Sequence, residues 1–398
     1  MKSITPDTLS GKAVLTLAHV VGMVDMVALP VWIGALIQHY QYSPAQAGIT
    51  VTLFLLGVVL SSVFFAPRFN SVPRKVASAA GFAVAAVAFF FASQLSVAVA
   101  SFQTLALLHA VAGLGVGCAL TFTHGCIGRS SNPHRLFAVV NVALGIFAVF
   151  FLAGMPQLIT HTSASILFTV IAGTMALAAV VMAMAFPVIV GVQAAQASNT
   201  PTAKLPIPKA SWFVIGVVVC LTLNQSMVFA FVERIGADRG FGMDRVNGVL
   251  IALGLVNLTP GLLAALLQKK WSPVAVGMAG PIGQATLALI MTSTAAFMPY
   301  AISVSSYVFM VIFTHNFLFG LLSRLDATGR AAAATPAMMM MGACIGPALG
   351  GGLVQNLGYQ GLGWAACAVS VVAVLAMLQV RRYLPAAPVV AATAVVHV

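Results

Sequence analysis

Long apolar runs alternate with short polar breaks along this chain, and the runs set its architecture. Continuous apolar segments fall near residues 13–37, 46–66, 76–95, 103–127, 136–157, 165–190, 211–232, 246–267, 274–296, 302–323, 331–354 and 360–380. Each is close to the roughly 20 apolar residues that cross a bilayer as one helix. The apolar–polar alternation of a membrane barrel strand is missing from these runs. The pattern predicts an all-α integral membrane protein with twelve transmembrane helices. Composition agrees, since 61% of the 398 residues are hydrophobic and 6% are charged. A soluble domain carries about 25% charged residues. So few charges cannot cover a water-facing surface, and membrane lipid is the expected surround. The first run exceeds the roughly 7–15 residues of a secretory signal core and contains an acid, so it reads as a helix that is kept.

The basic residues set the orientation, because Lys and Arg favour cytoplasmic connections. With the N-terminus inside, the inside segments hold Lys2, Lys12, Arg68, Arg74, Lys75, Arg129, Arg135, Lys204, Lys209, Lys269, Lys270, Arg324, Arg330, Arg381 and Arg382, which is 15 of the 18 basic residues. The other three, Arg234, Arg239 and Arg245, share one outside connection with Glu233, Asp238 and Asp244. Both termini are therefore expected in the cytoplasm. The formal charge of +12 does not point to nucleic acid, because the basic residues form no patch or arm. The five cysteines all sit in apolar runs without a CxxC pair, so they read as packing residues, neither disulfides nor metal ligands.

A polar stretch at 191–210 divides the chain into an N-terminal bundle at 12–190 and a C-terminal bundle at 211–383, with a loose tail at 384–398. A shift of 195 residues places Arg74-Lys75 on Lys269-Lys270, and Arg129 and Arg135 on Arg324 and Arg330. Equal spacing is not required of basic loops in general, so it points to an internal duplication. Duplicated six-helix halves recur in secondary transporters, with the solute site between them near the midplane.

Several motifs carry a family resemblance. Residues 66–75 read Ala-Pro-Arg-Phe-Asn-Ser-Val-Pro-Arg-Lys, with Arg74-Lys75 closing the loop after the second helix. The fourth helix has His109 followed by a stripe of Gly113, Gly115 and Gly117. The eleventh has G-x-x-x-G-P-x-x-G-G at Gly342, Gly346, Pro347, Gly350 and Gly351. On these features and the six-plus-six architecture, residues 12–383 resemble the major facilitator superfamily. The sequence departs from the family's loop motif at Asn70 and Pro73. The antiporter-type glycine motif, found in the family's fifth helix, sits here in the eleventh. The resemblance implies two pseudo-symmetric six-helix bundles that rock by alternating access. Gating is then expected at the glycine motif and at Arg74-Lys75. The resemblance also implies a cavity lined by the first, fourth, seventh and tenth helices.

Each of those four helices carries polar residues mid-span. A charged group at mid-bilayer costs about 2.5–3.5 kcal/mol on insertion scales, so it reads as functional. Asp25 is the acid near the middle of the first helix, and Gly22, Asp25, Leu29 and Trp32 share a helical face. Asp25, His109 and His315 are the candidate proton carriers; Trp32, Asn224, Gln225 and Asn316 are the candidate solute contacts. His19 and His124 also lie on spans. Glu233 and Arg234 close the seventh helix as a surface or gate ion pair. No Lys or Arg lies mid-span, as a buried anion would need. One carboxylate with Trp32 and many Phe and Met residues suits a cationic or neutral amphiphile.

The expected function is secondary, proton-coupled transport of a small solute by a monomer, favouring efflux from a bacterial-type cytoplasmic (inner) membrane. Two alternatives remain within transport: uptake of a metabolite such as an organic acid, and copper(I) import through Met23, Met26 and Met338–Met341 with histidine. A non-transporting membrane sensor is the competing class. HExxH, GxSxG and acidic metal-pair motifs are missing, so neither an enzyme nor a bound cofactor or metal is expected.

Overall fold

The computed structural model describes residues 4–95, 101–188, 207–326, 331 and 335–384. The expected linker is therefore described only at its end, and Lys204, Arg330 and the tail beyond residue 384 lie outside the described residues. Among the described residues fourteen α-helices can be followed: α1 (Leu9–Gly22), α2 (Val24–Gln38), α3 (Pro44–Phe65), α4 (Arg74–Gln94), α5 (Phe102–Ile127), α6 (Pro133–His161), α7 (Ile166–Ala185), α8 (Lys209–Phe229), α9 (Val232–Asp238), α10 (Met243–Val256), α11 (Pro260–Leu267), α12 (Pro273–Ser293), α13 (Phe297–Leu325) and α14 (Thr335–Tyr383). Together they make eleven segments long and apolar enough to cross a membrane among the described residues. The outside of the bundle is itself apolar, with Leu60, Phe64, Phe90, Phe150, Leu262 and Trp364 exposed. Water would penalise such a surface, whereas hydrocarbon accepts it once the backbone groups are paired inside helices. The protein is a multi-pass membrane protein.

Three expected single helices are broken. The first bends at Met23 (φ −100°, ψ 22°), which divides α1 from α2. The seventh breaks after Phe229 and resumes at Val232. The eighth breaks ahead of Pro260, which opens α11. Proline lacks the N–H that a continuous ladder needs, so a helix restarts easily at one.

The last helix departs in the opposite sense, because α14 joins the expected eleventh and twelfth runs over 49 residues. Straight, it would be about 70 Å long, more than twice a hydrocarbon core of about 30 Å. It is not straight. A Cβ on Gly346 would meet Ser226 Oγ of α8. Asn224, half a turn away on α8, donates to the Ala366 carbonyl and to Ser370 Oγ, both at 3.0 Å. Two arms of α14 thus flank the same turn of α8, and the chain doubles back at Gly358 (φ 67°, ψ −173°). That conformation is open essentially only to glycine.

Helices α1–α7 pack chiefly on one another, as do α8–α14, and the groups meet where α3 touches α14, α6 touches α10 and α2 touches α9. One end of the bundle carries the connections at 39–43, 162–165, 239–242 and Gly358; it is called the distal end. The opposite end carries the N-terminal segment and the connections at 66–73, 128–132 and 268–272. There Ile4 accepts from the Val188 N–H at 2.7 Å. Asp7 Oδ1 accepts from Ser131 N–H and Oγ at 2.8 and 2.7 Å. These bonds to the Ser131 side chain and backbone hold the Asp7 carboxyl below its ordinary value.

Candidate functional site

Asp25 lies in the first turn of α2, directly after the break at Met23. The break leaves the first N–H groups of α2 without their usual partners four residues back, and the Met26 N–H bonds instead to the Met23 carbonyl at 3.1 Å. Asp25 is buried, and its Oδ2 has no hydrogen-bond partner. A carboxylate on a broken helix is thus placed deep in the span, with one oxygen available for a proton or a cation.

The remaining predicted residues have bonds and contacts of their own. His109 and Trp32 meet each other: Trp32 Nε1 donates to His109 Nε2 at 3.0 Å. His109 Nδ1 lies 2.7 Å from the Leu105 carbonyl and, as the remaining ring N–H, donates to it. Both ring nitrogens are therefore used, and the imidazole is neutral with a fixed tautomer. Phe54, Phe89 and Phe168 enclose the Trp32–His109 pair inside the α1–α7 group. Both residues are fully buried. Trp32→Phe is expected to strand His109 Nε2 at a cost of about 1–3 kcal/mol, read as a lower melting temperature in detergent. The pH profile of transport should not move in that variant; a moved profile would return His109 to proton transfer.

In the second group, Asn224 is spent on α14, as described above. His315 is buried, stacked on Phe319, with Nε2 unpartnered. Gln225 is half-buried, and Asn316 is exposed and donates to Ile312 of its own helix at 2.9 Å. Three polar residues that the sequence reading passed over lace this group together. Tyr307 OH donates to the Asn224 carbonyl at 2.8 Å, Tyr300 OH to the Val232 carbonyl at 2.6 Å, and Gln284 Nε2 to the Leu221 carbonyl at 3.0 Å. Two tyrosines seven apart on one helical face were the available signal. On the other side, His19 Nδ1 and His124 Nε2 lie 3.0 Å apart between α1 and α5.

The expected gate residues divide in three. On α14, Gly342, Gly346 and Gly350 lie against α8, while Gly351 and the Pro347 carbonyl lie against α3. The glycine motif therefore sits on the seam between the groups. The expected Glu233–Arg234 ion pair is replaced by another: Arg234 pairs with Asp238 one turn on, at 2.7 Å. Four residues is the spacing at which helical charges face each other, whereas adjacent ones diverge. Arg74 lies over the Phe69 ring at 5.0 Å, with Arg129 over the same ring at 4.0 Å, and Lys75 is exposed. That loop is clamped within the α1–α7 group. Of the Met338–Met341 run, Met338 is buried and Met341 exposed, so the thioethers do not share one direction.

The fold has solved counterparts. The structure of a D-xylose-proton symporter aligns with a TM-score of 0.70 at 18% identity, covering 94% of this chain and 98% of that one. A bacterial homolog of the human lysosomal transporter Spinster, in an inward-facing and occupied conformation, aligns with a TM-score of 0.71 at 12% identity, covering 96% and 99%. The nucleoside transporter NupG aligns with a TM-score of 0.68 at 14% identity, covering 94% and 99%. At these identities the likeness is one of fold. No curated protein matches the chain. Residues 14–325 match the Major Facilitator Superfamily, and over so much of its length the chain belongs to that superfamily of membrane transporters.

Proposed function

We propose that this protein is a proton-coupled secondary transporter that exports a cationic or neutral amphiphilic solute by alternating access. The observation that carries the reading is Asp25, a buried carboxylate with an unpartnered oxygen at a break in the first spanning helix. A group of this kind can be neutral with a proton bound or be satisfied by a cation, and it cannot comfortably be neither. Competition between proton and solute for one carboxylate is the simplest coupling such a site supports. Interrupted helices around a midplane site are a recurrent feature of secondary transporters.

The proposed topology has twelve crossings, with the two arms of α14 counted separately and both termini cytoplasmic. Six belong to residues 12–190 and six to 211–383. The doubling back at Gly358 supports the count, and the basic residues at the end opposite the distal one support the orientation. The distal end then faces outward across a bacterial-type cytoplasmic membrane.

Reconstitution tests the function. Liposomes containing the protein and an internal pH dye are challenged with gradients of organic cations, carboxylates, sugars and copper. Cation-dependent proton movement is expected. A response to carboxylates alone would overturn the solute class, and no response to any solute would overturn coupling.

A further inference from the structure

At the distal end α9 brings Glu233 across the seam between the helix groups. A Cβ built on Gly34 of α2 would lie 2.7 Å from Glu233 Oε1 and 3.2 Å from Oε2. The carboxyl group thus lies flat on the α2 backbone, where only glycine leaves room. Glu233 is 7% exposed, and its Oε2 has no hydrogen-bond partner.

Among the described residues no cation is bonded to it, and the neighbouring Arg234 acts on its charge only at a distance. Arg234, its neighbour, is bonded to Asp238. Asp238 also accepts from Tyr359 of α14. Arg239 is turned to the Thr292 carbonyl. Tyr300 of α13 spends its hydroxyl on Val232. On α10 the charged residues are Asp244 and Arg245, and Arg245 lies over the Phe297 ring. From α2 the facing residue is Gly34, and the ionisable residues beyond its end are His39, Tyr40 and Tyr42. The other seam contacts here are uncharged: Gly48 against the Pro347 carbonyl, Gly351 against the Pro44 carbonyl, and Ala348 N–H to Thr52 Oγ1 at 3.0 Å.

We propose that Glu233 is a second proton-binding site, separate from Asp25, whose protonation closes the distal gate. The proposal rests on the alternating-access reading above. With the seam closed, an ionised Glu233 would be a buried charge with no bonded counter-ion among the described residues, which is unfavourable. With the seam open, the same carboxylate is hydrated and its charge costs little. The closed state therefore holds one more proton than the open one, and acid favours closure. The step is a proton transfer alone. Distal water gives a proton to a Glu233 oxygen as the seam closes, and takes it back as the seam opens.

The test measures the gate itself. Cysteines replacing exposed Thr162 and Asn356, which belong to different helix groups at the distal end, carry spin labels in a chain whose five native cysteines are replaced. Distance distributions are recorded in lipid nanodiscs from acidic to alkaline pH. The unmodified gate is expected to shift from a short to a long separation as pH rises. Glu233→Gln, permanently neutral, is expected to stay short throughout, whereas Asp244→Asn, at an exposed carboxyl of the same end, should follow the parent. Glu233→Asp, which keeps a carboxyl but reaches less far, should keep the pH dependence with a larger open fraction. Gly34→Val, which fills the carboxyl's place, should be long at every pH. A Glu233→Gln gate that still opens with the parent's midpoint, or a parent gate indifferent to pH, overturns the proposal while Gly34→Val opening upholds alternating access. A distal end that no variant opens overturns both.

Discussion

Asp25→Asn is expected to abolish proton-coupled transport while leaving the protein folded. The amide is nearly isosteric with the carboxyl, so packing in the first turn of α2 is kept. The group's ability to exchange a proton is lost. A positioned proton-transfer group ordinarily contributes about 10²–10⁴-fold to rate, so coupled flux should fall by at least about 100-fold. Exchange of a neutral solute without a pH gradient should persist, because it needs no proton, whereas exchange of a cation should weaken with the loss of the carboxylate it shares with the proton. The measurement is dye-reported proton movement beside labelled-solute exchange in the same liposomes. Undiminished proton movement would remove Asp25 from the mechanism. Loss of neutral-solute exchange as well, in a protein that still elutes as a monodisperse peak, would show that Asp25 does more than carry the proton.

The largest effect on stability is expected from Gly113→Val on α5. A Cβ there would lie 2.0 Å from the Phe54 carbonyl oxygen and 2.8 Å from its carbon, both backbone atoms of α3. A flexible side chain could move aside, but two helix backbones cannot part without breaking their shared seam. Overpacking of a core typically costs about 1–3 kcal/mol, occasionally more, and backbone contact places this position at the upper end. Folded yield and melting temperature should both fall sharply. Gly154→Val is the control, since nothing lies within 4 Å of its added Cβ. It should change stability by no more than about 0.5 kcal/mol. Equal melting temperatures for the two variants would refute the close α3–α5 approach.

Much of this fold is legible in the sequence because lipid imposes a simple rule: a spanning segment must be long and continuously apolar. The runs near 46–66, 76–95 and 103–127 match α3, α4 and α5 closely for that reason. The break at Met23 is not legible, because Val20 to Met26 is apolar apart from Asp25 and hydropathy cannot register a lost hydrogen bond. Asp25 could be found from its charge alone, since any acid in an apolar run stands out. Its expected partners could not be placed, because residues on the right helices can point into their own group. His109 spends its polarity on Trp32, and Asn224 spends its own on Ser370, 146 positions away. Glu233 shows the same limit from the other side. Next to Arg234 in sequence, it reads as half of an ion pair, yet its real neighbour is a glycine on α2 without a side chain.

The enclosed Trp32–His109 pair also gives the protein a private optical signal. Of the chain's four tryptophans, Trp212, Trp271 and Trp364 are 59%, 50% and 64% exposed on the outer surface, while Trp32 is 0% exposed. Quenchers carried by the lipid, in the acyl chains and at the headgroups, are expected to reach the first three and not the fourth. The emission that survives such quenching comes from Trp32 on the seam-facing helix α2, so it follows the interior of the first helix group without an added label.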